Sequence, residues 1–353
     1  MDRQMEQLLS MIQQPAFLVK GGQILWHNPA AKNLVFCDQQ LSELLEGGQQ
    51  FYDQWDRENL LQIDLKIMEI WYTAKVRAYG DSELFVLLPP QKSGHSASAM
   101  LSISAYLRRV LHELMNAGNS MLDQLAELDR EVPEAANMNR ALYQLLRLCG
   151  QLSDSGKLVN GSAELYLERT KLHEFMQDFA DRLGPVLEEC GWHLEYIPCD
   201  TKLRGDLDRA LIQRALYNLV SNSLRHTPKG SALKLQVTHG GSEIYFTLSH
   251  DGETFSESFG PGGEQLGLGD PDRGVGLGMV LLRSIARLHG GTLMYTSKAD
   301  GTGVVMTFSI RKTCDELDLK SPSLAVDDCS GLDHSLVELS DVLDRELYHP
   351  DRI

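Results

Sequence analysis

GVGLGMVLLRSIARLHGG, at residues 274–291, is the stretch of this chain with the most specific pattern. Three glycines, Gly274, Gly276 and Gly278, lead into apolar residues at helical spacing. These apolar residues are Val280, Leu281, Ile285 and Leu288. A flexible glycine loop that opens onto a helix presents unpaired backbone N–H groups at the positive end of the helix dipole. The stretch therefore predicts an anion-binding junction, because glycine lets a phosphate approach without a Cβ clash.

A second informative stretch, DRALIQRALYNLVSNSLRHTP at residues 208–228, predicts an amphipathic helix. Asn218 and Asn222 lie one turn apart, and Arg225 follows on the same face. The opposite face is apolar and consists of Ala210, Leu211, Leu216, Leu219 and Leu224. Amide oxygens suit Mg²⁺, and amide and guanidinium donors suit phosphate. Taken alone, an asparagine pair or a glycine triplet is a weak signal, and the asparagines also fit the solvated side of an amphipathic helix.

Together, NLVSN and the downstream GVGLGMVLLRSIARLHGG resemble the N box and the second glycine box of histidine kinases of the Bergerat (GHKL) ATP-binding family. Their order, their spacing and the trailing HGG agree with that family, and the resemblance covers about residues 160–312. It implies an α/β sandwich that binds ATP and Mg²⁺, with Asn218 as a metal ligand. It also implies that His226 and Leu277 belong to the cofactor site, beside the asparagines, the arginine and the three glycines.

The family's first glycine box, Asp-x-Gly-x-Gly, is altered in this chain. Aligned on Gly252, residues 250–254 read HDGET, so His250 replaces the aspartate that binds adenine in the family. Val304 replaces the threonine that helps to hold that aspartate. A register slip would let Asp251 serve instead, but a one-residue slip on a strand turns a side chain to the other face. Losing the hydrogen bond costs about 1.5–3 kcal/mol, a factor of about ten to a hundred in affinity. We still expect these residues to line the adenine side, because a neutral imidazole can accept from an amino group.

The stretch LHELMNA, at residues 111–117, resembles the H box of histidine kinases. A lone histidine on an amphipathic helix is usually a surface or packing residue, but its place just ahead of a nucleotide fold favours the H box. By that resemblance, His112 is the phosphoacceptor, and Glu113 orients its ring and takes its proton. Asn116 would position a water for dephosphorylation of a partner. The proline of the family's motif is replaced by Ala117.

Residues 100–156 predict a helical hairpin that dimerises. Apolar residues recur at three- and four-residue steps from residue 100 to about 129, and a second helix is predicted at 134–153 after Pro133. Its inward residues are predicted to be Met138, Leu142, Leu145, Leu146 and Leu148. Two apolar-striped helices cannot bury their stripes alone, so we expect a four-helix bundle formed by two chains.

Residues 1–90 resemble a PAS domain. The stretch PAFLVKGGQILWHNPAAKNLV predicts a strand, a turn at Gly21-Gly22, a second strand and a helix that begins at Asn28-Pro29. The residues that match the usual PAS opening are Pro15, Asn28 and Ala30. Nothing in the region names a ligand.

Two further patterns flank that hairpin. KIMEIWYTAKVRAYGDSELFVLLPP predicts two β-rich runs joined at Gly80-Asp81. Residues 1–14 predict a short amphipathic helix. Overall we predict an α+β fold: the PAS-like α/β domain at 1–90, the dimerisation hairpin at 100–156, and a Bergerat-type α/β sandwich at 160–312.

The tail at residues 313–353 differs in character, with eleven acids against three bases. We expect it to be largely disordered. An apolar series within it, Leu336, Leu339, Val342, Leu343 and Leu347, also fits an amphipathic helix that docks on a partner or on the bundle.

Composition limits the classes of function. A chain of 353 residues suggests two or three domains, and a net charge of −16 argues against a nucleic-acid or anionic-membrane surface. No run of eighteen apolar residues occurs and the start MDRQMEQLLSMIQQ lacks a signal-peptide layout, which predicts a cytoplasmic protein. The six cysteines show no CxxC and no metal-ligand spacing, as expected of free thiols in a reducing compartment.

Two functions follow from these patterns. The first is a homodimeric sensor histidine kinase that phosphorylates His112 and passes the phosphoryl group to a response regulator. The second is a degenerate kinase that acts as a partner-binding scaffold or as a response-regulator phosphatase, which the changes at His250, Thr254, Val304 and Ala117 favour. An ATP-dependent chaperone or a mismatch-repair ATPase would share the sandwich but would not carry a His-Glu hairpin just ahead of it.

Overall fold

The computed structural model describes residues 12–46, 48–88, 135–159, 164–253, 277–297, 302–311, 332–349 and 352. These residues belong to two compact units. The first unit draws on 1–92, 234–265 and 286–313, and the second on 93–233, 266–285 and 314–353. Predicted features that lie outside the described residues include the first eleven residues of the N-terminal helix and the first hairpin helix with its histidine.

The N-terminal part of the first unit is an antiparallel sheet flanked by short helices. Its strands are β1 (Ala16–Lys20), β2 (Gln23–His27), β3 (Leu60–Ile67), β4 (Ile70–Tyr79) and β5 (Ser82–Leu87). Its helices are the 3₁₀ turns Pro29–Ala31 and Leu41–Glu43 and the α-helix α1 (Gln49–Gln54). The strand order is β2-β1-β5-β4-β3. The predicted turn at Gly21-Gly22 joins β1 to β2, with φ of +58° and +80°, values that glycine adopts without strain.

Asn28 organises the start of this sheet. It is fully buried, and its side-chain oxygen accepts hydrogen bonds from the backbone N–H groups of Ala16 and Ala31, both at 3.0 Å. Its side-chain amide donates to the carbonyls of Ile12 and Gln14 at 2.9 and 2.8 Å. The predicted helix at Asn28-Pro29 is therefore a capped 3₁₀ turn, and one side chain ties it to the first strand.

The turn between β3 and β4 was not predicted. It is made by Met68 and Glu69, which both have positive φ, +49° and +63°. Residues other than glycine, asparagine and aspartate rarely adopt this conformation, so their sequence carries no turn signal. The β-rich run predicted to begin at Lys66 is consequently split, and β3 precedes the break.

The same unit contains four strands from the C-terminal half: β9 (Ala232–Gly240), β10 (Glu243–Glu253), β11 (Leu293–Ser297) and β12 (Thr302–Arg311). β11 pairs antiparallel with β3, from Met294 opposite Ile63 to Ser297 opposite Leu60. The sheet order therefore continues as β2-β1-β5-β4-β3-β11-β12-β10-β9. The regions predicted as separate PAS-like and sandwich domains share this sheet.

Side chains also cross the β3–β11 junction. Asp64 of β3 is 1% exposed and accepts hydrogen bonds from Arg287 and from Thr73, each at 2.8 Å. The guanidinium of Arg287 lies 4.7 Å from the ring centre of Trp71. A Cβ added at Gly48 would come within 3.1 Å of the Ile63 side chain. The junction is thus closely packed and contains a buried ion pair.

We predict that Arg287→Met lowers the free energy of unfolding by about 1.5–3 kcal/mol, because the buried Asp64 carboxylate loses a charged hydrogen-bond partner. Urea denaturation of the full chain measures the change. Arg77→Met is the control: Arg77 is exposed on β4, and a change there should alter stability by less than about 0.5 kcal/mol. Equal effects of the two variants would contradict a stabilising role for the ion pair.

The second unit is mainly helical. Its helices are α2 (Ala135–Val159), α3 (Leu172–Glu189), α4 (Arg209–His226), the greater part of α5 (Leu277–Leu288), α6 (His334–Glu338) and the 3₁₀ turn Arg345–Tyr348. Its strands are β6 (Glu168–Lys171), β7 (His193–Ile197) and β8 (Arg204–Leu207), of which β6 and β8 pair antiparallel. Among the described residues, no helix combines the length and the apolar character needed to span a membrane.

The helix α4 is held by a cap and by α3. Asp208 accepts a hydrogen bond from the N–H of Leu211 at 3.1 Å, which satisfies a free donor of the first turn. Phe179 of α3 packs against Tyr217 of α4, with ring centres 5.0 Å apart. Of the apolar face predicted from the sequence, Leu216, Leu219 and Leu224 are buried, whereas Leu211 is partly buried and Ala210 is exposed.

The side chains that α2 buries within the second unit are mostly polar. Met138 and Leu145, predicted to face a second chain in the bundle, are 46% and 39% exposed here. Among the described side chains of α2, the buried ones are Asn139, Tyr143, Arg147, Gln151 and Asp154. Arg147, Gln151 and Asp154 have hydrogen-bond or ionic partners on α4 and in the tail, which offset the cost of burying them.

Part of the acidic tail is folded. Residues 332–349, here called the tail segment, are folded against the second unit, whereas 312–331 lie outside the described residues. Leu339, Leu343 and Leu347 are at most 8% exposed. The apolar series seen in the sequence therefore docks, although as two short turns rather than one amphipathic helix.

Candidate functional site

The two motifs predicted to meet are in contact in the second unit. Gly278 is the second residue of α5, and a Cβ added there would lie 2.6 Å from the side-chain oxygen of Asn218 on α4. One turn further along α4, the amide of Asn222 lies 2.9 Å from the sulfur of Met279. Glycine is required at 278 because any larger residue would displace the asparagine.

Asn218 is fully engaged within the protein. It is 1% exposed, its side-chain oxygen accepts from Gln151 of α2 at 3.1 Å, and its amide donates to the carbonyl of Arg214 at 2.9 Å. Asn222 is only partly buried. In this arrangement, Asn222 is the more accessible of the two amides that the sequence offers to a metal ion.

Arg225, predicted to bind phosphate, pairs instead with an acid of the tail segment. Its guanidinium forms an ion pair with Asp341, and Arg147 of α2 forms a second one with the same carboxylate. The hydroxyl of Ser221 donates to this carboxylate at 3.3 Å. Burial opposes ionisation of Asp341, but the two guanidinium groups outweigh it and hold its pKa below the usual range.

A second ionic cluster lies about two turns before Ser221 on α4. Arg214 forms an ion pair with Asp154 of α2, and its Nε lies 3.5 Å from a carboxylate oxygen of Glu338 in α6. Burial raises the pKa of Glu338, and the neighbouring arginines oppose that rise. The polar face of α4 is therefore covered by charged groups of α2 and of the tail segment.

The end of α4 has its own contacts. Arg225 and His226 lie in its last turn, where cations favour the helix dipole. Beyond it, the ammonium of Lys229 forms an ion pair with Asp344 of the tail segment at 2.7 Å. The tail segment thus follows α4 over its second half and past its end.

The adenine-side residues belong to the first unit. His250 is 4% exposed on β10 and lies directly opposite Val304 on β12. The β10–β12 register is irregular between His250 and Glu253, so strict alternation of faces does not hold at Asp251 and Gly252. The two positions that depart from the family's adenine-binding pair are therefore cross-strand neighbours.

Other predicted site residues are not described: His112, Glu113, Asn116, Gly274 and Gly276. Leu277 is the first residue of α5. Sequence reasoning missed Arg147, Gln151 and Asp341. The sequence carries no distinguishing signal for them, because polar side chains opposite an apolar stripe are what the solvated face of an amphipathic helix also carries.

Residues 207–313 match the family described as histidine kinase-, DNA gyrase B-, and HSP90-like ATPase. The chain is related to the sensor histidine kinases and carries their ATPase domain. The α+β fold with this ATP-binding domain agrees with the prediction from the sequence.

Curated sensor histidine kinases match a larger part of this chain than the family model does. Sensor protein KdpD of Clostridium acetobutylicum is 24% identical over 228 residues, which cover 61% of this chain and 25% of that protein. The alginate biosynthesis sensor protein KinB of Pseudomonas aeruginosa is 26% identical over 229 residues, which cover 58% of this chain and 38% of that protein. The chain thus spans well under half the length of these relatives.

Solved structures of histidine kinases are similar at lower identity. The catalytic domain of ThkA is 22% identical with a TM-score of 0.36, and the match covers 42% of this chain and 96% of that one. ThkA in complex with the response regulator protein TrrA is 15% identical with a TM-score of 0.40, covering 87% of this chain and 98% of that one.

The two units, each taken by itself, differ in how they fit what ATP and Mg²⁺ require. In the second unit, the amide of Asn222 and the guanidinium of Arg225 have chemistry that suits a metal ion and phosphate, but Asp341 holds Arg225 in this structure. In the first unit, a buried imidazole at His250 stands where the family has a carboxylate. The second unit thus fits a phosphate group once Asp341 leaves, and the first unit fits adenine with one acceptor weakened.

We predict that Gly278→Ala lowers the free energy of unfolding by about 1–2 kcal/mol, because the new methyl group displaces Asn218 from Gln151. Gly150→Ala is the control. Gly150 lies within α2, and a Cβ there would meet nothing within 4 Å. Gly150→Ala should raise the free energy of unfolding by up to about 1 kcal/mol, because alanine has the higher helix propensity. A rise in both variants would contradict the close contact between Gly278 and Asn218. Thermal unfolding of both proteins measures the difference.

Proposed function

We propose that this chain is a sensor histidine kinase that phosphorylates its own His112 with ATP and transfers the phosphoryl group to an aspartate of a response regulator receiver domain. The supporting observation is the contact between the asparagine face of α4 and the first turn of α5, inside the segment that matches the ATPase family. The relationship to sensor kinases supports the same role.

Each group in this proposal has a role that its chemistry supports. ATP with Mg²⁺ would supply the phosphoryl group and neutralise its charge. Asn222 would hold the metal ion, and Arg225 and the α5 backbone would hold phosphate oxygens. His112 would offer a ring nitrogen to the phosphoryl group while Glu113 orients the ring and takes its proton. Asn116 would place a water molecule when the kinase dephosphorylates its partner.

The remaining regions have supporting roles in the proposal. The N-terminal region would be a PAS-like input domain, and its strand pair, short helices and later strands follow the order predicted for one. Two chains would form the dimer, and the exposed Met138 and Leu145 of α2 give them an apolar surface to share.

We predict that the full chain, incubated with ATP labelled at the γ-position and Mg²⁺, acquires an acid-labile label that His112→Gln abolishes. The control is His193→Gln, since His193 is exposed on β7 and outside every predicted site. Label that is stable to acid, or that survives loss of His112, would contradict the kinase proposal.

A degenerate kinase is the second candidate, and the pair His250 and Val304 is the observation that favours it. Such a protein would bind a response regulator as a scaffold, or would only drive its dephosphorylation through Glu113 and Asn116. Neither of these roles would require ATP to bind at His250. Calorimetric titration with ATP separates the candidates, because a scaffold would release no binding heat.

We predict that the double change His250→Asp with Val304→Thr tightens nucleotide binding about ten-fold, because it restores a charged acceptor and the hydroxyl opposite it. His250→Asp alone is the control. It should gain less, because the buried carboxylate then lacks the cross-strand hydroxyl. Isothermal calorimetry gives both affinities, and an unchanged affinity in the double variant would place adenine recognition elsewhere.

A further inference from the structure

The tail segment is anchored to both α2 and α4. Tyr348 is fully buried, and its ring centre lies 5.2 Å from that of Tyr143 on α2. At the other end, the Ser335 hydroxyl lies 3.1 Å from the hydroxyl of Tyr217 on α4. Leu339 and Leu343 are buried between these points. The segment therefore bridges the second helix of the predicted hairpin and the asparagine helix.

Polar side chains of α2 fix the backbone of the tail segment. Arg140 and Gln144 donate to the carbonyl of Ser340, at 3.0 and 3.2 Å. Asn139 donates to the carbonyl of Tyr348 at 3.0 Å. These bonds satisfy carbonyls that would otherwise be buried alone, and they hold the segment in one position on α2.

This position brings Asp341 to the predicted phosphate-binding end of α4. Its carboxylate is surrounded by two guanidinium groups, from Arg147 and Arg225, and by the hydroxyl of Ser221. Forked guanidinium donors recognise carboxylate and phosphate oxygens by the same geometry. A carboxylate held there accepts hydrogen bonds from the same donors that a nucleotide phosphate would use.

The carboxylate and a phosphate cannot both use Arg225 in this way. Side chains of α2 cover the rest of this face of α4. Gln151 donates a hydrogen bond to the side-chain oxygen of Asn218, and Asp154 forms an ion pair with Arg214. The state in this structure is therefore one in which α4 is clamped to α2 and its phosphate-binding groups are already occupied.

We propose that the tail segment is a built-in competitor of nucleotide, with Asp341 in the place of a phosphate oxygen on Arg225. Its release from α4 is then the step that opens the site and frees α4 from α2. The inference rests on the proposed function only in taking Arg225 as a phosphate ligand, and it does not require that His112 be phosphorylated.

The chemistry of the contact favours exchange over a permanent structural role. A buried carboxylate between guanidinium groups gains little over well-packed apolar side chains, because desolvation offsets the attraction. Only an anionic contact can be replaced by another anion without leaving the two guanidinium groups unpaired. The triphosphate of a nucleotide is an anion that would do so.

Three variants of the full chain test this inference. Asp341→Asn removes the charge and keeps the shape, and Tyr348→Ala removes the aromatic anchor far from any predicted nucleotide ligand. Asp344→Asn is the control, since it breaks only the surface pair with Lys229, where both side chains are at least 40% exposed. Calorimetry with a non-hydrolysable ATP analogue and Mg²⁺ gives the affinity of each protein.

We expect the first two variants to bind the analogue about ten-fold more tightly than the unaltered chain, because apparent affinity rises with the fraction of open sites. The control should bind like the unaltered chain. Hydrogen exchange gives a second readout: saturating analogue should raise the exchange rates of amides in residues 332–349 of the unaltered chain.

The outcomes separate this inference from the kinase proposal. Equal affinities in all four proteins, unchanged exchange in the tail segment at saturation, or no binding to any of them would each overturn the competitor role. Tighter binding to Asp341→Asn without an acid-labile label on His112 would instead support the competitor role and remove the kinase.

Discussion

A buried guanidinium group requires an anion, and this requirement fixes the arrangement of the second unit. Arg147 is 8% exposed, and leaving it or Arg225 without a counter-charge would cost several kcal/mol. Asp341 supplies that charge to both in the present state. Because the carboxylate belongs to a segment more than a hundred residues further along the chain, the positions of α2, α4 and the tail segment depend on one another. Any ligand that takes over the anion's role must change all three.

The same requirement explains which face of α2 is exposed. Its polar residues turn toward α4 and the tail, so its apolar stripe, with Met138 and Leu145, remains uncovered within the described part of the second unit. A helix whose polar side is hydrogen-bonded within its own chain and whose apolar side is exposed can bind a second chain without losing its first set of contacts. In the proposed kinase, the polar side would respond to the nucleotide site and the apolar side would hold the second chain.

Capping and turn residues in the sequence predicted the helices and hairpins whose geometry depends on residues close by in the chain. The α4 helix follows its Asp208 cap, and the first hairpin follows Gly21 and Gly22. The contact between Gly278 and Asn218 was implied by family resemblance rather than by periodicity. The Met68-Glu69 turn lacks the residues that usually allow positive φ, and the β3–β11 pairing joins strands more than two hundred residues apart. The pairing of Arg225 with Asp341 could not be predicted from the sequence either, because only the folded tail brings the two side chains together.

In the proposed kinase, His250 and the tail segment would weaken nucleotide binding in different ways, and their effects would multiply. Replacing a charged acceptor by His250 would lower affinity by a constant factor in every state of the protein. Occupation of Arg225 by Asp341 lowers apparent affinity by the fraction of molecules in which the tail is released, and that fraction can change. A constant loss at one end keeps the released protein from saturating at low nucleotide concentration. Under the proposed competition, occupancy of the site would follow tail release closely, so that whatever displaces residues 332–349 would set how much nucleotide is bound.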